Sequence, residues 1–176
     1  MKYLLLFLSV LSFLVLSSCG GGGGNDDEAF SGGARVVISL TPSNIDVGDR
    51  TRITIQVFDV NEDGIIVKLN YPDALSYVEE TASLEVDGDE SDITPDVDVA
   101  GDDEDRFLVF FLSEDDFDRD AEGTIRVELQ ANDSVNDGEI SVDIDVDDPQ
   151  IPNESEFSVD SPQFQPEDTV TIEVDK

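Results

Sequence analysis

Apolar residues recur at every second position through most of this chain, and that period restricts what it can fold into. Ile53, Ile55 and Val57 alternate with Arg52, Thr54 and Gln56; Ile125, Val127, Leu129 and Ala131 alternate with Thr124, Arg126, Glu128 and Gln130. Ile140, Val142, Ile144 and Val146 alternate with Ser141, Asp143, Asp145 and Asp147. Successive side chains of a strand point to opposite faces, so each run places one face in a core and the other in water. Val36 to Leu40, Ile65 to Tyr71 and Val78 to Val86 complete a set of about seven or eight strands. "FLVFFL", Phe107 to Leu112, is apolar on both faces and reads as a central strand covered on each side. No segment sustains a helical period. The best local candidate is Ser113 to Phe117, where Ser113 and Asp116 would cap a single turn; a loop fits equally well.

Turn-forming residues fall between these runs, at Asn61 to Gly64, Tyr71-Pro72-Asp73, Asp87-Gly88-Asp89 and Asn136-Asp137-Gly138. Short strands at this spacing predict an all-β protein, an antiparallel Ig-like β-sandwich spanning residues 35–148. "TPSNIDVGDRTRITIQVFDVNEDG" resembles the opening of bacterial Ig-like domains: a proline-marked first strand, "V-G-D", an alternating second strand and a "D-x-N-x-x-G"-like turn. "VKLNYPDALSYV" is similar to the corresponding segment of cohesin-type modules and of repeated bacterial surface domains. The resemblance covers about a third of the chain and implies a fold more than a function.

A weak internal repeat follows. In "SPQFQPEDTVTIEV", Asp168 precedes Val170, Ile172 and Val174 as Asp49 precedes Thr51, Ile53 and Ile55. The proline- and polar-rich stretch 149–155 reads as a linker, so 156–176 is either the start of a second Ig-like domain or a set of extra strands completing the first.

The chain carries 43 acidic and 9 basic residues, a formal net charge of -34. Nucleic acid is excluded as a partner, because counterion release requires clustered Lys and Arg. Hydrophobic residues still make up 39 %, enough for a core despite the charge. Histidine is absent, which closes Ser/His/Asp triads, Cys/His pairs and histidine-ligated zinc. Paired carboxylates could hydrolyse glycosides only across a cleft, which the sequence does not indicate; the chain is read as non-enzymatic.

The carboxylates offer one metal-like pattern. "DVNEDGII" matches the first part of a calcium loop, with Asp59, Asn61 and Asp63 as candidate Ca²⁺ ligands and Gly64 at the sharp turn. The twelfth position is Asn70 in place of a bidentate Glu, and the flanks read as strands, so a polar turn is the competing account. The acidic cluster Asp143, Asp145, Asp147 and Asp148 lines the outward face of the last alternating strand and runs into the linker; a solvated face is expected there, with cations bridging the linker as the alternative.

The N-terminus addresses location. Met1 and Lys2 precede an apolar run from Tyr3 to Leu16, shorter than the roughly 20 apolar residues of a membrane span and matching the central region of a secretory signal. Leu16-Ser17-Ser18-Cys19 then resembles the lipobox of bacterial lipoproteins: an aliphatic residue, two small residues and the cysteine. That resemblance implies a signal peptide over 1–18, removed on export, and lipidation of the Cys19 thiol. Each buried methylene contributes about 0.8 kcal/mol, so two or three acyl chains anchor stably where one binds marginally. Residues 19–34 hold the lipidated Cys19 and a flexible Gly- and acid-rich tether, five glycines followed by Asn25-Asp26-Asp27-Glu28. Gly20 after the cysteine, in place of the aspartate of inner-membrane retention, favours the outer membrane.

The functional expectation is a membrane-anchored extracytoplasmic lipoprotein acting as a structural, adhesive or scaffolding module, with a protein or glycan partner at the cell surface. A calcium- or carbohydrate-binding surface domain using Asp-rich loops is the alternative.

Overall fold

The computed structural model describes residues 34–60, 64–101, 105–117, 121–145 and 164–176. Twelve strands occur among them: β1 (Arg35–Thr41), β2 (Asn44–Asp46), β3 (Arg50–Phe58), β4 (Ile65–Pro72), β5 (Leu75–Tyr77), β6 (Ser83–Val86), β7 (Asp89–Asp92), β8 (Val97–Ala100), β9 (Asp105–Leu112), β10 (Gly123–Ala131), β11 (Val135–Asp145) and β12 (Asp168–Asp175). They form two sheets, one in the order β1-β3-β10-β6-β7 with β5 also on β10, the other in the order β2-β12-β11-β4-β9-β8. All pairings are antiparallel except β2 with β12. The expected all-β Ig-like sandwich is the observed fold.

Alternation builds the core between the sheets. Ile53, Ile55 and Val57 of β3 and Ile125, Val127 and Leu129 of β10 are fully buried, facing Ile65, Val67 and Leu69 of β4 and Ile140, Val142 and Ile144 of β11. Burying each such side chain contributes about 1.5–3 kcal/mol. The second sheet also has apolar residues on its far side: Ile66, Phe107 and Val109 are buried there, with Val97, Val99, Phe111 and Phe164 against them. The doubly apolar run 107–112 is therefore covered on both faces as expected, although its strand lies one place from the sheet margin.

Several elements differ from the sequence reading. Val78 to Val86 is not one strand: Val78–Ala82 turns, with the Thr81 hydroxyl donating to the Val78 carbonyl at 2.7 Å and Glu80 at φ 62°. Asn136-Asp137-Gly138 is not a turn between strands but an irregularity inside β11, where pairing with β12 jumps from Val135 to Gly138. Strands β7 and β8 are four-residue margin strands: β7 has no apolar residue and β8 only Val97, Val99 and Ala100, too short a run to show a period, and the exposed acidic residues of β7 discourage edge-to-edge pairing. Ser113 begins a single 3-10 turn, Glu114–Asp116, and the Asp116 carboxylate accepts from both its amide and its hydroxyl at 2.8 Å.

The segment carrying the internal repeat supplies β12, inserted between β2 and β11. Asp168 at its start also accepts a hydrogen bond from the Ile38 amide of β1 at 2.9 Å, satisfying a donor on the open margin of the other sheet.

Gly64 enters β4 with φ at +82°, and a methyl group there would run into the Leu112 carbonyl oxygen. Gly48 also has positive φ, at +96°, but faces open space. Gly48→Ala should therefore cost about 1–2 kcal/mol, the backbone term alone. Gly64→Ala should cost clearly more in urea unfolding, because the β4–β9 register must shift as well.

Candidate functional site

Pairing of β4 with β11 puts Lys68 directly opposite Asp143, with Asp145 diagonally adjacent on the same face, away from the main core. Lys68 Nζ donates to Asp143 Oδ2 at 3.1 Å and forms a closer ion pair with Asp145 Oδ2. Both strands are flanked by neighbours, and residues 164–167 cross this face before entering β12. Phe164 packs edge-on against Phe107 with ring centroids 5.6 Å apart. The Gln165 amide donates to Asp143 Oδ2 at 3.1 Å, and the Glu167 amide to the Val142 carbonyl at 2.9 Å. Beneath this segment the Lys68 side chain is 3 % exposed, that of Asp143 1 % and that of Asp145 19 %.

The expectation of a solvated acidic face is thus corrected for Asp143 and Asp145; Asp147 and Asp148 lie outside the described residues. An ammonium opposite and a chain segment above remove these carboxylates from water. Burial pushes the Asp143 carboxyl up, against the lowering effects of Lys68 and of the Gln165 amide. Asp143 Oδ1 has no hydrogen-bond partner. Glu167, at the mouth of the cluster, is pushed up to about 7 by desolvation first and then by the charges of Asp143 and Asp145.

The outward face of the other sheet has a different character. Arg50 and Arg52 of β3 bind the Glu128 carboxylate of β10 at 3.3 and 3.0 Å, and Arg52 is the main cause that holds Glu128 below its ordinary range. Arg126 contacts Glu85 at 2.7 Å and Glu90 at 3.8 Å. A depression of about 210 Å³ lies among Thr41, Arg50, Arg52, Thr54 and Glu128, smaller than the roughly 300–1,000 Å³ of small-molecule pockets. Val37 of β1, on the same face, is 46 % exposed.

Of the residues singled out in sequence, Cys19, Asn61 and Asp63 lie outside the described residues. Asp59 follows β3 at φ 60°, and its carboxylate accepts from Arg35 Nε at 3.0 Å. Among the described residues no group of three or more acidic, histidine or cysteine side chains is arranged to hold a metal. Sequence reasoning missed Lys68 and Glu167. The available signal was a lysine interrupting "IIVKLNY" in a chain with only three lysines.

No protein-family model matches the chain, and no curated protein matches it by sequence. Solved structures match in shape. The N-terminal domain of the Streptococcus gordonii adhesin Sgo0707 superimposes with a TM-score of 0.50 at 12 % identity, over 80 % of this chain and 32 % of that one. A non-cellulosomal cohesin from the archaeon Archaeoglobus fulgidus gives 0.42 at 8 % identity, over 81 % of this chain and 92 % of that one. AvmM, which catalyses macrocyclization in alchivemycin A biosynthesis, gives 0.42 at 11 % identity, over 81 % and 89 %. The likeness establishes the fold, and a fold of this kind hosts many functions.

The raised carboxyls set the sign of the pH response. Glu167 and Asp143 hold protons more tightly folded than unfolded, so their contribution to stability grows as pH falls from about 7 toward the ordinary carboxylate range. Lys68 of β4 and Asp145 of β11 are the other charged groups facing them. Urea unfolding at pH 8 and pH 5.5 should show a gain in stability on acidification, and Glu167→Gln should reduce that gain; an undiminished gain would place its origin elsewhere.

Proposed function

We propose that this chain is a lipid-anchored extracytoplasmic lipoprotein whose β-sandwich is a non-catalytic structural, adhesive or scaffolding module, held at the outer membrane. The observation that carries the reading is the order of segments: Leu16-Ser17-Ser18-Cys19, then a glycine- and acid-rich stretch, then a sandwich whose first strand starts at Arg35. A lipidated cysteine joined to a folded domain by a polar spacer presents that domain at a distance from the bilayer. The lack of histidine throughout the chain supports the non-catalytic reading.

The surface offered to a protein partner is the outward face of the β1-β3-β10 sheet. Four of the nine basic residues, Arg35, Arg50, Arg52 and Arg126, project there beside Thr54, Gln56 and the exposed Val37. On a molecule of net charge -34 this is where a partner meets mixed charge and extended backbone in place of a uniform negative field.

Cys19→Ala should move the protein from the detergent-extracted membrane fraction to the soluble extracytoplasmic fraction and leave its signal uncut by the lipoprotein peptidase. Unchanged partition and processing would overturn the anchor. On intact cells, chemical crosslinking should capture a partner that the Arg52→Glu, Arg126→Glu double variant loses; capture of no partner at all would overturn the adhesive or scaffolding role.

A further inference from the structure

The Lys68 cluster is an unusual way to use a lysine. Three ionisable side chains meet under a covering segment, and one ammonium faces two carboxylates, so as ions they leave an uncompensated negative charge in a largely dry site. The arginine pairs on the opposite face are more exposed and involve a guanidinium, which is not a nucleophile. Lysine is different: its deprotonated amine attacks carbonyl carbon. Lys68 Nζ lies closest to Asp145, while the second carboxyl, Asp143, sits 3.1 Å from the same nitrogen and keeps one oxygen without a partner.

We propose that Lys68 and Asp145 condense into an intramolecular isopeptide bond joining β4 to β11, with Asp143 moving the proton between the attacking nitrogen and the departing oxygen.

The step balances without an added reagent. One proton passes from the Lys68 ammonium to the Asp145 carboxylate, giving an amine and a carboxylic acid. The nitrogen lone pair attacks Asp145 Cγ, and the C–N bond forms. Asp143 takes one proton from the nitrogen and returns it to the hydroxyl on Cγ; the C–O bond breaks and one water leaves. Asp143 ends as it began. Holding both groups in contact replaces a bimolecular encounter. Asp143 lies within hydrogen-bond reach of the attacking nitrogen, and burial raises its carboxyl, so it takes up a proton more readily than an ordinary aspartate. Asp145 remains 19 % exposed, so the released water has a way out.

The test is peptide mass spectrometry on the full-length protein after trypsin. Expected is a branched peptide in which residues 53–106, uncut at Lys68, are joined to 127–176 and lighter by one water, with fragmentation placing the link at Asp145. Asp145→Ala should restore cleavage at Lys68. Asp143→Asn, with both reacting groups retained, should slow linkage about a hundredfold in a time course after synthesis. Separate wild-type peptides 53–68, 69–106 and 127–176 would overturn the proposal, and this reading does not depend on any variant folding. A link localised to Asp143, or full-speed linkage in Asp143→Asn, would overturn the assigned roles.

Discussion

Burial of the β11-β4-β9 strands on both faces is the constraint on which the rest of the molecule depends. A sheet with one wet face needs apolar residues at alternate positions only; these strands have a core on one side and a covering segment on the other. Ile66, Phe107 and Val109 meet that demand with hydrocarbon. Lys68 and Asp143 meet it with charge, and a charge removed from water must find a partner or change its protonation. The same covering segment, anchored by Phe164 on Phe107 and by the Gln165 and Glu167 amides, leads into β12. Its removal would hydrate the cluster and release the strand that holds β2 in the sheet.

Electrostatics sorts the two outward faces. A chain with 43 acidic and 9 basic residues repels itself, and the repulsion is tolerable where carboxylates are solvated, as on β7. The arginines of β3 and β10 interrupt the negative field of one sheet by pairing with Glu128, Glu85 and Glu90 across neighbouring strands. Exposed pairs of this kind contribute about 0.2–1 kcal/mol each, so their consequence is less in stability than in the character of the surface.

The fold was legible because a two-residue period survives in nearly every long strand: β3, β10 and the apolar face of β11 were evident from Ile, Val and Leu at alternate positions. The margins were not, since β2, β7 and β8 are only 3, 4 and 4 residues long, too short for a two-residue period to show even where Ile45, Val97 and Val99 pack inward. The bulge at Asn136-Asp137-Gly138 has the composition of a hairpin turn, and only its pairing with β12 distinguishes the two. The cluster was half legible. Asp143 and Asp145 stood out as carboxylates in a strand, yet alternation alone assigned them to water, because nothing within β11 shows that residues 164–167 fold over that face. Lys68 carries the same lesson from the other side: a lone cation in an apolar run makes sense only opposite its register partner, 75 positions away in the chain.

A bond between Lys68 and Asp145 would answer a need that this composition creates. A chain with one cysteine cannot staple itself with an internal disulfide, the usual device of small domains outside the cell. Linking positions 68 and 145 closes a loop of about 77 residues (145 minus 68) and, by the chain-entropy reasoning used for disulfides, lowers the stability of the unfolded state by about 4.5 kcal/mol. The gain has a second origin here. Condensation consumes the ammonium and one of the two carboxylates, so the buried cluster changes from an ion triad to an amide beside one titratable group. Its desolvation cost falls in the same step that closes the loop. Unlike a disulfide, an amide is indifferent to the redox state of its surroundings, so the link would persist in a reducing or an oxidising compartment alike.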